Sequence, residues 1–138
     1  MASIHFFTEE IDFQLKYQNK KKRWIKSVIH AEGFTLESLN YIFCSDEFLL
    51  TKNIQYLNHN TYTDIITFDT SDSEAIEGDI FISIDRIQDN STKLGVSFTD
   101  ELDRVMIHGV LHLMGYGDKG NEQKKLMREK EDSYLSLR

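Results

Sequence analysis

The sequence has no proline, a single cysteine, no long apolar run and no excess of positive charge. Each absence narrows the field. With Cys44 alone no internal disulfide can form, which fits a reducing compartment and leads us to expect a cytoplasmic protein. No stretch nears the roughly 18 apolar residues that a membrane span needs, so no membrane partner is expected. The opening MASIHFFTEEIDFQL lacks a basic start, a continuous apolar segment and a small-residue cleavage site, and reads as a structural element rather than a signal peptide. The 16 Lys and Arg against 23 Asp and Glu give a net charge of −7, which argues against a generic nucleic-acid coat. A local basic run remains at Lys20, Lys21, Lys22, Arg23 and Lys26, and taken alone it reads as a solvated helix face. No repeat, linker or low-complexity segment interrupts the 138 residues, so one domain over 1–138 with one core is expected.

What is present is a mixture of strand and helix patterns. SIHFF at 3–7 and IDFQL at 11–15 look extended. Apolar positions at Trp24, Ile25, Val28, Ile29 and Ala31 predict a helix over 18–32 that stops at Gly33. SLNYIFCS at 38–45 alternates as a strand, and Ser45 or Asp46 then caps a helix over 46–58 with Phe48, Leu49, Ile54 and Leu57 inward. DIITFDT at 64–70 and GDIFISI at 78–84 are the clearest strands, and the polar residues between them suit a hairpin or an exposed loop. Asp85 with Gln88 resembles a capping box for a helix closed by Gly95, and Thr99 is placed to cap the next helix, which ends at Gly115. A charged final helix over 121–137 is anchored by Leu126, Met127, Tyr134 and Leu137. The order of elements makes the fold α+β.

The chemistry concentrates in HGVLHLMGYGD, 108–118. On a helix, His108 and His112 share one face and offer two imidazoles to one metal ion. A histidine pair on an apolar helix also occurs as a packed core pair. The stop at Gly115-Tyr116-Gly117 favours the metal, because it turns the chain back and can bring Asp118 beside His112. Three protein ligands with an open position is the catalytic arrangement for zinc. In the protease motif H-E-x-x-H the Glu is the general base, and here Gly109 stands in its place, which disfavours a metalloprotease.

The same run resembles the H-G-x-L-H-L-x-G-Y-x-H signature of the YbeY family of endoribonucleases and rRNA maturation factors, with His108, Gly109, Leu111, His112, Leu113, Gly115 and Tyr116 in register. TDIITF at 63–68 and GDI at 78–80 resemble two further blocks of that family, and Asn53 and Tyr56 fit the helix end before the first of them. The resemblance covers roughly 35–135. It implies a compact α+β domain whose mixed, mostly parallel sheet of about four strands packs with helices, with a metal site at the end of a central helix. It also implies one bound zinc, hydrolysis of single-stranded RNA, and work on the 3′ end of small-subunit rRNA and in late ribosome quality control. RNA and the ribosome or its proteins are then the partners, and the chain is expected to be a monomer.

Two positions depart from the family pattern. Asp118 stands where the family has its third histidine, giving a His108, His112, Asp118 ligand set whose harder oxygen widens the choice of ion towards Mn or Co. Leu57 stands where the family has an Arg suited to phosphate charge. His59, two residues on, is a candidate catalytic group that as imidazolium replaces part of that charge or acts as general acid, against a plain surface reading. Lys22 and Arg23 are candidate substrate contacts from the basic run. His5 and His30 read as structural or exposed, and Asp64 and Asp79 as turn or cap residues. The alternative function is a ribosome-assembly binding factor with a structural metal and little catalysis, which Leu57 favours.

Overall fold

The computed structural model describes residues 2–138. Among them, four strands and five helices follow in the order β1 Ser3–Glu9, α1 Gln18–Ala31, β2 Thr35–Cys44, α2 Asp46–Leu57, β3 Ile65–Asp69, β4 Ala75–Ser83, α3 Ile84–Leu94, α4 Phe98–Leu113 and α5 Gly120–Leu135. The sheet runs in the order β1-β2-β4-β3. β1 and β4 both lie parallel to β2, while β3 returns antiparallel to β4 as a hairpin. This is the mixed, mostly parallel α+β architecture that the sequence and its resemblance led us to expect.

Alternation along the strands sets the layers. On β4, Ile76, Gly78, Ile80 and Ile82 are buried in turn, and they face the main core with Leu39, Tyr41 and Phe43 of β2. α1 and α4 close that core, and the Tyr41 hydroxyl donates to the Met106 carbonyl of α4 at 2.9 Å. The opposite face is thinner. There Cys44, Leu49 and Ile66 form a second cluster beneath α2, with Phe48, Phe68 and Phe81 against it. α4 is the central element: ten of its sixteen residues are buried, and α5 packs on its outer side.

Gly109 shows why the helix can lie so close to the sheet. A Cβ there would sit 2.9 Å from Ile65 Cδ1 and 3.0 Å from two Ile80 carbons. A side chain at the position that holds a glutamate in the protease motif would have to push Ile65 and Ile80 aside and lift the helix from the sheet.

Local capping departs from the sequence reading in instructive ways. Ser45 caps α2 as expected, accepting from the Phe48 amide at 3.1 Å. α3 is capped by Ser83, not Asp85, whose carboxylate accepts from the Asp46 amide instead. α4 is capped by Ser97, two residues before Thr99. In all three helices the serine hydroxyl accepts from the amide three residues on, the usual N-cap bond. Residues 11–15 form no strand; Phe13 packs edge-on to Phe43 and Leu15 is buried, so their apolar character serves packing rather than pairing. Ile54 and Leu57 of α2, and Leu126 and Leu137 near the C-terminus, are exposed rather than inward.

Candidate metal centre and its cleft

The site forms where α4 ends. Gly115 adopts φ +99°, a conformation open to glycine, and the Tyr116 amide donates back to the Leu111 carbonyl at 3.0 Å. This turn aims two groups at the helix end: the Tyr116 carbonyl and, two residues on, the Asp118 carboxylate. Gly117 serves by smallness, since a Cβ there would meet Gln123 Oε1 at 2.5 Å. That same Gln123 oxygen accepts from the Lys119 amide at 2.9 Å and fixes the start of α5.

The two imidazoles are oriented by acceptors. His108 Nδ1 donates to Glu131 Oε2 at 2.7 Å, and His112 Nδ1 donates to the Tyr116 carbonyl at 2.9 Å. A neutral imidazole has one donor and one acceptor nitrogen, so both Nε2 atoms carry lone pairs. They point at each other across 2.8 Å, and Asp118 Oδ2 lies 3.5 Å from each. Three acceptor atoms therefore converge with no donor between them, an arrangement that calls for a cation.

The triangle fits a metal. Its edges of 2.8, 3.5 and 3.5 Å bracket the separation of about 3.3 Å between ligands of a tetrahedral zinc with bonds of about 2.0–2.1 Å. His108, His112 and Asp118 are the group among the described residues whose donor atoms come together in this way. The surrounding partners match the usual support of such a site, a carboxylate and a backbone carbonyl on the outward ring nitrogens.

Electrostatics follow from burial and pairing. Burial by itself would push the His108 pKa down, but hydrogen bonding and charge from Glu131, with Asp118 and Asp64 beyond, leave it raised. Glu131 is 5% exposed, yet its pKa is lowered, because His108 and Arg104 outweigh the cost of burial. Arg104 joins Glu131 at 2.8 Å and Asp132 at 2.7 Å. The centre opens into a cleft of about 390 Å³ whose walls include Asp64, Glu101 and Arg104, with Lys124 and Arg128 on the α5 side. Burial raises the pKa of both Asp64 and Glu101.

The residues singled out from sequence divide cleanly. His108, His112 and Asp118 are brought together. His59 is exposed on the loop after α2 and does not line the cleft. Neither do Lys22, whose Nζ lies 5.6 Å from the centroid of the Phe6 ring, and Arg23, which is exposed on α1. Sequence reading missed Glu131, the group that orients His108 from 23 residues away. It also took Asp64 for a turn residue, whereas the loop tied down by Asn53, which donates to the Thr61 carbonyl at 2.8 Å, delivers it to the cleft. The readable signal was on α5, where Lys124, Arg128 and Glu131 fall at i, i+4 and i+7 on one helix face.

Comparison with known proteins gives the family and the fold. A sequence model of the family described as Endoribonuclease YbeY matches residues 3–137. The chain is 50% identical to Endoribonuclease YbeY of Cytophaga hutchinsonii over 137 residues, covering 99% of this chain and 96% of that protein. It is 47% identical to the protein of that name from Bacteroides thetaiotaomicron over 136 residues, 99% of each. Among solved structures, the solution structure of a Thermotoga maritima protein superposes with a TM-score of 0.68 at 25% identity, over 96% of this chain and 87% of that one. Motif, fold and full-length similarity point the same way: the chain belongs to the YbeY family of endoribonucleases.

Proposed function

We propose that this chain is a divalent-metal-dependent endoribonuclease that cleaves single-stranded RNA, with His108, His112 and Asp118 holding one ion, most naturally zinc. The observation that carries the reading is the convergence of three acceptor atoms in an open cleft, with both histidine tautomers set by Glu131 and Tyr116. When bound, a divalent ion there lowers the pKa of a coordinated water and polarises a phosphoryl oxygen. The chain's own residues do the rest. Glu131 and the Tyr116 carbonyl hold the rings with their Nε2 atoms already turned towards the ion's position. Asp64, on the cleft wall and outside the ligand set, is the carboxylate that serves proton exchange with the bound RNA. Family membership further supports maturation of small-subunit rRNA at its 3′ end and late ribosome quality control as the setting. It acts there as a monomer in the cytoplasm, with the ribosome or its proteins as partners. No helix among the described residues is long and apolar enough to cross a membrane.

The test offers the purified chain a structured rRNA fragment and casein, with EDTA and zinc-restored controls. RNA cleavage that disappears with EDTA and returns with zinc is expected, and casein should stay intact. RNA binding without turnover would overturn the enzyme reading in favour of the assembly-factor alternative.

A further inference from the structure

The cleft presents a charge problem. An RNA strand is anionic, yet the walls carry Asp64, Glu101, Asp118 and Glu131. Leu57, where the family's Arg is expected, is a half-exposed apolar side chain at the end of α2, outside the cleft. The basic run of α1 is outside it as well, with Lys21 paired to Asp103 at 2.6 Å. Something else must meet the phosphates.

The cleft's own cations divide into two kinds. Arg104 is paired with both Glu131 and Asp132, so its charge is met within the chain. Lys124 and Arg128 line the same cleft but take part in none of the ion pairs or side-chain hydrogen bonds found among the described residues. They stand one turn apart, about 6 Å along the axis of α5. Their stripe continues to Glu131, which grips His108 at 2.7 Å, so the helix face that presents them is locked to the metal centre. Asp118 faces the metal position and Glu131 is paired with His108 and Arg104, which leaves Asp64 and Glu101 on the walls, and of these two Glu101 is the acid that feels the Arg128 charge. Glu101 is 6% exposed and makes no hydrogen bond to the arginine, so the guanidinium donors remain available.

We propose that Lys124 and Arg128 form the phosphate clamp of this protein, holding the RNA backbone beside His108 from α5 in place of the arginine absent at position 57. This rests on the nuclease reading above. The clamp contacts phosphate only, so it fixes where the strand lies without selecting its sequence.

The test measures binding of a 2′-O-methyl single-stranded RNA, which resists cleavage, to the zinc-loaded chain by fluorescence anisotropy across a salt series. Lys124→Ala and Arg128→Ala should each lower affinity at low salt. Each should also reduce the slope of log K against log salt by about 0.7, the share of one phosphate contact on a single strand. In cleavage assays on unmodified RNA the same variants should raise KM more than they lower kcat, as loss of uniform binding does. Zinc content should not change, and neighbouring Lys125→Ala should match the parent. Unchanged slope and KM in the double variant Lys124→Ala/Arg128→Ala would overturn the clamp. Failure of the parent chain to cleave RNA while binding it would instead count against the nuclease reading, so the two failures are distinguishable.

Discussion

Two carboxylates organise polar clusters at the ends of α1 and α4, and they differ in one respect. Glu32 accepts from the Tyr116 and Tyr134 hydroxyls and from Lys130 Nζ, so its charge and its lone pairs are met within the chain. Glu131 is just as well satisfied, by His108 and Arg104, but the group it orients is not. Beyond it three acceptors converge with no donor. The clusters even share a residue: the Tyr116 hydroxyl serves Glu32, and its carbonyl serves His112. Burial and charge do not separate the two. The balance of donors and acceptors does, since a polar cluster that closes on itself contributes stability and one left with surplus acceptors awaits a cation.

Removing an acceptor from the open cluster should have the largest effect. Asp118→Ala is expected to weaken zinc binding by well over about 100-fold, more than the 10–100-fold typical of losing an outer partner, while Lys119→Ala leaves it unchanged. Competition with a chromophoric chelator measures both. Unaltered affinity in Asp118→Ala would place the third ligand elsewhere and erase the contrast.

The outer partner comes next. Glu131→Gln keeps the shape and an acceptor oxygen but removes the charge that fixes His108. Zinc affinity should fall roughly 10–100-fold. Stability of the metal-free chain should fall by about 1–3 kcal/mol, because Arg104 and His108 lose a charged partner. If only stability falls, Glu131 is a structural acid like Glu32, and the distinction between the clusters fails.

Much of this was legible beforehand, for reasons that the particular residues make plain. Strands rich in Ile and Phe and helices with a serine before them follow local rules, so β3, β4, α2 and α4 lie near where the pattern put them. His108, His112 and Asp118 fall within eleven residues, on one helix and its terminating turn, and short spacing is what a sequence displays best. Glu131 and Lys124 reach the same centre from a separate helix, and Asp64 from a separate loop. Their approach depends on how α5 packs on α4 and how Asn53 ties down the loop before β3, which no local spacing encodes. Ile54 and Leu57 misled for the opposite reason: their spacing is helical, but α2 covers a narrow strip of sheet and buries only Leu49 and Asn53.

The closed cluster gives the smallest effect and the sharpest test of the division. Burial by itself would raise the Glu32 pKa, but hydrogen bonds from Tyr116, Tyr134 and Lys130 outweigh it and leave the pKa lowered. A carboxyl with a depressed pKa in the folded state contributes stability that is present above its unfolded value, about 4.3, and lost as pH falls through the folded one. Glu32→Gln should therefore cost about 1–2 kcal/mol near neutral pH and flatten the acid limb of the stability profile below roughly pH 5. The alkaline limb has the opposite origin. Tyr134 is pushed up to about 12 by burial and then by its bond to Glu32. Its share of stability is thus present below the ordinary tyrosine pKa of about 10 and lost as pH rises through the folded value, so Tyr134→Phe should flatten that limb. Denaturant midpoints across pH measure both. Zinc affinity should change by no more than roughly threefold in Glu32→Gln, since the His112 bond runs to the Tyr116 carbonyl rather than to its hydroxyl. A loss as large as that of Glu131→Gln would mean that Tyr116 couples the clusters into one unit, with the closed network setting the geometry of the open one.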